Sequence, residues 1–456
     1  MPLAERLMPL FHFLPEVDIP KRHVSFKEKI TWSAIILVVY YLLGEIPLYG
    51  MVGAAQDQFG YFKAVLASET GTLITLGIGP VVMAGIFMQL FQGAEIFKFD
   101  LTTHEGKTLF QGLQKMLAIF LCFFEAILYV WGGAFGRVGT NIMIFLMLQM
   151  ALGAFLVLLM DEVVTKWGFG SGISLFIAGG VAKDIFWTMF SFLEVEEFPG
   201  QFIGAVPDFI RSIVAGTPTW TRTGLPDMVQ VFFTIIIFLV VVYAESMRVE
   251  IPLSYGKFKG VRGRYPIRFV YASVIPVILT SAMIASANLI TRLLNTRFGI
   301  TFLGTFNSSG NAESGLMYYL SSPVGLDSVA ADPLRAVTYL CVMVGGCVLF
   351  STLWIELTNM GPKAVAERLQ QSGMQIPGFR RDPRIVEKVL NRYIPKVTVM
   401  GGASIGLLAS FANFTNALGT GTGILLTVGI VYRMYEDLMR EQMSEMFPAL
   451  RGFLGE

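Results

Sequence analysis

Gly71-Thr72-Leu73-Ile74-Thr75-Leu76-Gly77-Ile78-Gly79-Pro80-Val81-Val82 opens an apolar run that extends to residue 92 without a charged side chain. Backbone immersed in hydrocarbon must satisfy its own hydrogen bonds, so a run this apolar reads as a membrane-crossing helix. Gly71, Gly77, Gly79, Pro80 and Gly85 make it shorter and more punctuated than an ordinary span. The half-polar stretch before it, 55–70, reads as a re-entrant or non-spanning segment.

The pattern continues outward. Apolar runs at 30–49, 108–132, 138–160, 171–192, 226–247, 267–291, 334–357, 396–416 and 420–440 join 71–92 to make ten expected spans. Of 456 residues, 54% are hydrophobic and 15% charged, against roughly 25% charged in a soluble domain. An ordinary soluble globule is excluded. Cys122, Cys341 and Cys347 lie in apolar runs and read as small core residues, while His12, His23 and His104 are scattered. The spacing gives no disulfide framework and no metal site, and no cofactor is expected. Residues 1–29 are amphipathic and charged, unlike a cleavable signal peptide.

Lysine and arginine orient the spans. With the N-terminus inside, 26 of the 34 Lys and Arg residues fall on inside segments and the span ends adjoining them and 7 on the outside; Lys183 lies within the fifth span. This bias puts both termini in the cytoplasm. Two inside loops concentrate the charge. Loop 248–268 carries Arg248, Lys257, Lys259, Arg262, Arg264 and Arg268, and loop 358–396 carries Lys363, Arg368, Arg380, Arg381, Arg384, Lys388, Arg392 and Lys396. Insertion topology explains part of it; a polyanionic partner such as ribosomal RNA is a second cause that the residues leave open.

Five spans (30–192) precede an external linker, 193–225, and five (226–440) precede a cytoplasmic tail, 441–456. An odd number per half inverts the second half relative to the first, which also suits a secondary transporter with inverted repeats. Ion coupling needs ionisable groups at depth, however, and the candidates inside spans are Glu125 and Lys183, which are expected to pair. Enzyme motifs are missing: there is no His-Glu-x-x-His and no Walker loop, and Phe169 spoils a Gly-x-Ser-Gly at Gly170-Ser171-Gly172. What recurs is branched apolar residues one turn apart: Ile78 with Val82, and Ile173 with Ile177, alongside Ile275-Pro276-Val277-Ile278. Spacing alone fits ordinary helix packing as well as a site.

At these residues the chain resembles the SecY family, which includes the alpha subunit of the eukaryotic Sec translocon. Residues 71–80 look like the second-span signature of that family. Further similarity lies in GSGISLFIAGGV (170–181), VVYAESMRVEIPL (241–253), YPIRFVYASVIPVIL (265–279), GFRRDP (378–383), RYIPKV (392–397) and LLTVGIVYRMYEDL (425–438). The wording of 241–253 and 425–438 resembles archaeal members.

The resemblance implies an all-α membrane protein of ten transmembrane helices, in two inverted five-helix halves forming an hourglass channel with a plug helix and a lateral gate. A pore ring of Ile78, Val82, Ile173, Ile177, Ile278 and Leu426 would close the waist. Gly60-Tyr61-Phe62-Lys63-Ala64-Val65-Leu66-Ala67-Ser68-Glu69-Thr70 resembles the plug. Spans two and seven would form the gate, with Pro80, Met83, Ile275, Pro276 and Ser286, the two prolines easing hinge motion. Met83 and Ser286 stand where relatives can have Thr and Asn, which puts a polar bridge there in question. The ribosome-binding loops would present Lys257, Lys259, Arg262, Arg264, Arg380, Arg381, Arg384 and Lys388. The implied function is a protein-conducting channel in the cell membrane, not an enzyme, driven by a partner. Its implied partners are a SecE/gamma subunit and a beta subunit, the ribosome and its RNA, signal sequences and nascent chains, and membrane lipid.

Overall fold

A computed structural model describes residues 14–22, 24–50, 67–93, 96, 103–131, 135, 139–195, 198–222, 224–255, 262–272, 274–307, 312–358, 360–371, 374–375 and 383–446. The elements run α1 Phe26–Gly44, α2 Gly79–Gly93, α3 His104–Trp131, α4 Thr140–Trp167 and α5 Gly172–Phe190. The linker follows with β1 Glu194–Val195, β2 Phe198–Phe202 and α6 Ala205–Val214. Next come α7 Met228–Ser246, β3 Arg248–Tyr255, β4 Arg262–Arg268 and α8 Ile275–Phe298. The chain continues through β5 Thr305–Phe306, β6 Ala312–Ser314, α9 Leu316–Leu320, α10 Leu326–Ala331 and α11 Pro333–Leu357. It ends with α12 Pro362–Gln371, β7 Met374–Gln375, α13 Pro383–Phe414 and α14 Gly421–Met446.

A helix occupies each of the ten expected span positions. By length and apolarity, seven of them among the described residues can cross a membrane: α3, α4, α5, α7, α8, α11 and α13. The other three have visible reasons for falling short. α2 has 15 residues, about 22 Å of helix against a hydrocarbon core of about 30 Å. α1 opens with Lys27-Glu28-Lys29, and the second half of α14 carries Arg433, Glu436, Asp437, Arg440 and Glu441. Local signals set several starts. Ser25 caps α1 by accepting from the Glu28 amide, Asp227 caps α7 from the Gln230 amide, and Asp332 caps α11, with Pro333 at its first position.

Several boundaries differ from expectation. The run 71–92 becomes helical only at Gly79, because Gly71 (φ +84°) and Gly77 (φ +55°) take the left-handed conformation that a right-handed helix excludes. The run 267–291 begins its helix at Ile275, since residues to 268 belong to β4. The run 396–416 starts its helix at Pro383 and carries Pro395 inside it. The tail 441–456 is helical as far as Met446, and the linker 193–225 holds a hairpin and α6.

Contacts divide the chain into two compact units. One comprises Met1–Asp184, Asn288–Met317 and Ile430–Glu456; the other Ile185–Ala287 and Tyr318–Gly429. The first unit has cores around Leu146, Met150 and Ala154, and around Val81, Ala84, Ala118, Leu121 and Leu158. In the second, α13 is the most enclosed span: 61% of its apolar window is buried, against 28–39% in the other six. Its partner is α11. A Cβ on Gly402 would lie 2.5 Å from Ser351 Oγ, and one on Gly406 2.8 Å from Val344 Cα, so only glycine permits this approach.

Candidate functional site

The two helices expected at the gate begin alike. In α2 the second residue is Pro80, and the carbonyl of Ile78 accepts from the Val82 amide at 3.0 Å. In α8 the second residue is Pro276, and the carbonyl of Val274 accepts from the Ile278 amide at 3.3 Å. Each proline thus sits where its missing N–H has no helical partner to lose. Pro80 and Pro276, expected to ease hinge motion at the gate, thus start their helices and break no bond inside them. Val82 and Ile278 both follow their proline by two residues, a local correspondence between the two halves that spacing had not shown.

None of the six ring residues is exposed. Ile78, Ile177 and Leu426 are buried, and Val82, Ile173 and Ile278 are half-buried. Residues that face out of the helices, such as Phe145, Phe186, Phe232 and Leu239, are exposed by 59% or more of their surface, though they are equally apolar. Ile173 and Met83 both pack against the Val81, Ala84, Ala118, Leu121 and Leu158 cluster. Pro80 and Pro276 are buried; Ile275 and Ser286 are half-buried.

Of the expected plug, residues 60–66 lie outside the described residues. Its end, Ala67–Thr70, is fixed in the first unit. The Tyr40 hydroxyl donates to the carbonyl of Ala67, and Lys183 reaches Glu45 at 2.9 Å and Glu69 at 3.3 Å. Lys183 therefore pairs with Glu45 and Glu69 and not with Glu125. Those two carboxylates sit on a helix end and a turn, where holding charge costs less than in mid-span. The Leu48 amide donates to Gly71 (2.9 Å) and the Leu73 amide to Ile46 (3.1 Å), so the chain on either side of 51–66 is drawn together.

The basic loops 248–268 and 358–396 are folded, and folded together. β3 pairs antiparallel with β4, from Arg248↔Arg268 to Ser254↔Arg262, and with β7 through Ser254↔Gln375 and Tyr255↔Met374. Ile251, Ile267, Val365, Leu369, Leu390 and Ile394 form a shared core beneath this three-stranded sheet. Arg262 and Arg264 lie on β4, and Arg384 and Lys388 on the first two turns of α13. Lys257, Lys259, Arg380 and Arg381 lie outside the described residues. The missed signal is Val249-Glu250-Ile251-Pro252-Leu253-Ser254-Tyr255, whose alternation has the period of a strand. No group of metal-ligating side chains occurs among the described residues.

Comparisons with known proteins agree along the whole chain. The SecY family model matches residues 72–435, and the model for the plug domain of Sec61p matches 38–71. The protein translocase subunit SecY of Methanothermobacter thermautotrophicus is 49% identical over 459 residues, spanning 100% of this chain and 99% of the relative. That of Pyrococcus furiosus is 47% identical, spanning 98% of each. A solved structure described as a protein-conducting channel superposes with a TM-score of 0.84 at 46% identity, over 97% of this chain and 99% of that one. Sec61 in a canine ribosome-channel complex from the endoplasmic reticulum does so with a TM-score of 0.81, again at 46% identity and over the same shares.

Proposed function

The chain belongs to the SecY family, and on that premise we propose that it is the channel-forming subunit of a Sec translocase. It passes unfolded secretory proteins across the membrane and releases transmembrane segments sideways into lipid. Likeness over the full length, with a plug domain at 38–71, carries this reading. It is a multi-pass membrane protein that works as a conduit and catalyses no reaction. The charge bias of its loops supports a place in the cell membrane with both termini cytoplasmic.

Ile78, Val82, Ile173, Ile177, Ile278 and Leu426 form the ring that seals the resting channel. A narrow apolar neck dewets and blocks ions, and flexible aliphatic side chains close around any passing peptide without a fixed hydrogen bond to prefer one sequence. Residues 60–70 form the plug. α2 and α8 form the lateral gate, and a SecE/gamma subunit and a beta subunit complete the heterotrimer. The basic sheet and the start of α13 receive the ribosome, and Arg380 and Arg381 contribute to the contact, because a guanidinium binds phosphate bidentately and stacks on exposed bases.

A photoreactive residue at position 78 or 278 tests the channel directly. It is expected to crosslink to a stalled translocating chain; uptake of a small solute without such crosslinks would instead support a transporter. Arg380→Glu tests the ribosome surface separately. It should weaken ribosome binding by tenfold or more at low salt, by about 1.4 kcal/mol or more, and flatten the salt dependence. If the charges serve topology alone, a correctly inserted variant binds the ribosome unchanged.

A further inference from the structure

α6 is built the wrong way round for a helix in water. Ala205, Pro207, Asp208 and Ser212 are buried, while Ile210, Ile213 and Val214 are exposed by 57%, 53% and 83%. A soluble amphipathic helix hides its apolar face and wets its polar one. Here the polar face is the hidden one. Asp208 meets Arg222 at 3.5 Å, both side chains less than a tenth exposed, and accepts from the Phe202 amide at 3.1 Å. The Ser212 hydroxyl accepts from the Thr219 amide at 3.3 Å, folding the following chain back over the helix. That return places Trp220, 60% exposed, against Phe209 with ring centroids 4.9 Å apart.

The position of α6 in the second unit says what covers this face. The Gly204 amide donates to the carbonyl of Ser191, the residue after α5, at 3.0 Å. Ala205 packs with Met189 near the end of α5 and with Met228 and Val231 in the first turn of α7. Since α5 and α7 are both membrane-spanning in length and apolarity, α6 starts at the border of the hydrocarbon. Its outward face is apolar and exposed like the outer surface of those spans, on which Trp187 and Phe232 are more than half exposed. Ten residues, about 15 Å, cannot cross a bilayer but can lie along its edge.

We propose that α6 and Trp220 form an interfacial anchor: Ile210, Ile213, Val214 and Trp220 rest in the boundary between lipid headgroups and acyl chains, while the Gly204–Ser191 bond ties the helix to the end of α5 and the buried Asp208–Arg222 pair ties it to the chain entering α7. Tryptophan favours that boundary because its ring is apolar and its N–H can stay hydrated. Arg211, the charged residue on the exposed side, is placed to meet headgroup phosphate.

The test uses the full translocase reconstituted in phosphatidylcholine vesicles, with an environment-sensitive dye on Val214→Cys. The exposed Cys341 is replaced by Ser; Cys122 and Cys347 are buried. Lipid brominated near the headgroup end of its chains should quench the dye severalfold more than it quenches the same dye on Thr217→Cys, and aqueous iodide should show the reverse order. Ile213→Asp, at a surface position, should cut the bromine quenching at residue 214 by more than half while leaving translocation intact. Strong iodide quenching at 214 with no response to brominated lipid would overturn the proposal. So would shielding from iodide that needs a second subunit, since a protein partner would then cover the face.

Discussion

Both units use a glycine to bring backbone against backbone, but they spend the approach on different neighbours. In the second unit Gly406 admits α11, where an added Cβ would meet Val344 Cα at 2.8 Å. In the first, Gly153 on α4 admits the irregular segment before α2, where an added Cβ would meet the carbonyl oxygen of Leu73 at 1.8 Å. A helix cannot yield locally, because each residue is tied four residues away by its own ladder. A run of turns can yield, because its ties are single bonds such as Leu73 to Ile46. The second unit is therefore a helix-on-helix scaffold around α13, and the first holds irregular chain, including residues 67–70, against helices.

Gly406→Val should produce the largest effect. Its branched side chain overlaps backbone that cannot move without opening α11 or α13, and overpacking of this kind costs about 3 kcal/mol or more. The expected result is a large loss of folded, detergent-stable protein. Gly153→Ala makes the shorter contact but should cost less stability, because residues 72–75 can shift. What it should lose is the seal, read as raised ion conductance of reconstituted channels at rest. If Gly153→Ala unfolds the protein while Gly406→Val is tolerated, the contrast between the units is wrong.

That contrast was only partly legible in the sequence. Apolar runs located every long helix, because membrane insertion is written into composition over some twenty residues at a time. The starts at Gly79 and Ile275 were not legible as starts, since Pro80 and Pro276 read equally well as kinks inside a longer run. The helical 383–395 was read as a basic loop, though Val386, Leu390, Ile394 and Val397 have helical spacing and Leu390 and Ile394 are buried. Charge masked periodicity there, as it did along β3. The pairing of Lys183 with Glu45 and Glu69 could not be read at all, because it depends on a fold that brings 45 and 69 beside the fifth span.

Lys183→Gln sharpens the comparison within the first unit. It removes the cation shared by Glu45 and Glu69, which are 70% and 30% exposed in their side chains. Partly exposed pairs contribute up to about 1 kcal/mol. Hydrogen exchange over 67–75 should accordingly accelerate by up to about fivefold, with exchange in α13 unchanged. Lys183→Arg should restore most of the protection. Equal acceleration in both units would mean that the substitution loosens the whole fold and that the pair is no latch.

The smallest effect should come from another place where irregular chain is tied to a helix, the strap at 16–18. The Val17 amide donates to Glu162 at 3.2 Å, Lys166 reaches Glu16 Oε1 and the carbonyl of Val17 at 2.7 Å each, and Trp167 Nε1 donates to the carbonyl of Asp18 at 2.8 Å. The hydrogen bond from Lys166 holds the Glu16 carboxyl below its ordinary value, against a weaker upward push from burial. A carboxyl lowered by folding contributes stability that is present above its unfolded pKa, roughly 4.3, and lost as pH falls through the folded value. Glu16 is 64% exposed in its side chain, so screening leaves about 0.5 kcal/mol at most. A spin label on Ile19→Cys, which is 69% exposed, with Cys341 again replaced by Ser, should grow more mobile as pH drops below that window. Glu16→Gln should remove most of the pH response and leave the label slightly more mobile throughout. The bonds from Lys166 to the Val17 carbonyl and from Trp167 to Asp18 do not titrate on the strap side, so the segment should loosen without detaching. Complete release of the label on acidification, or a pH response unchanged in Glu16→Gln, would show that Glu16 is not what fastens this end of the chain.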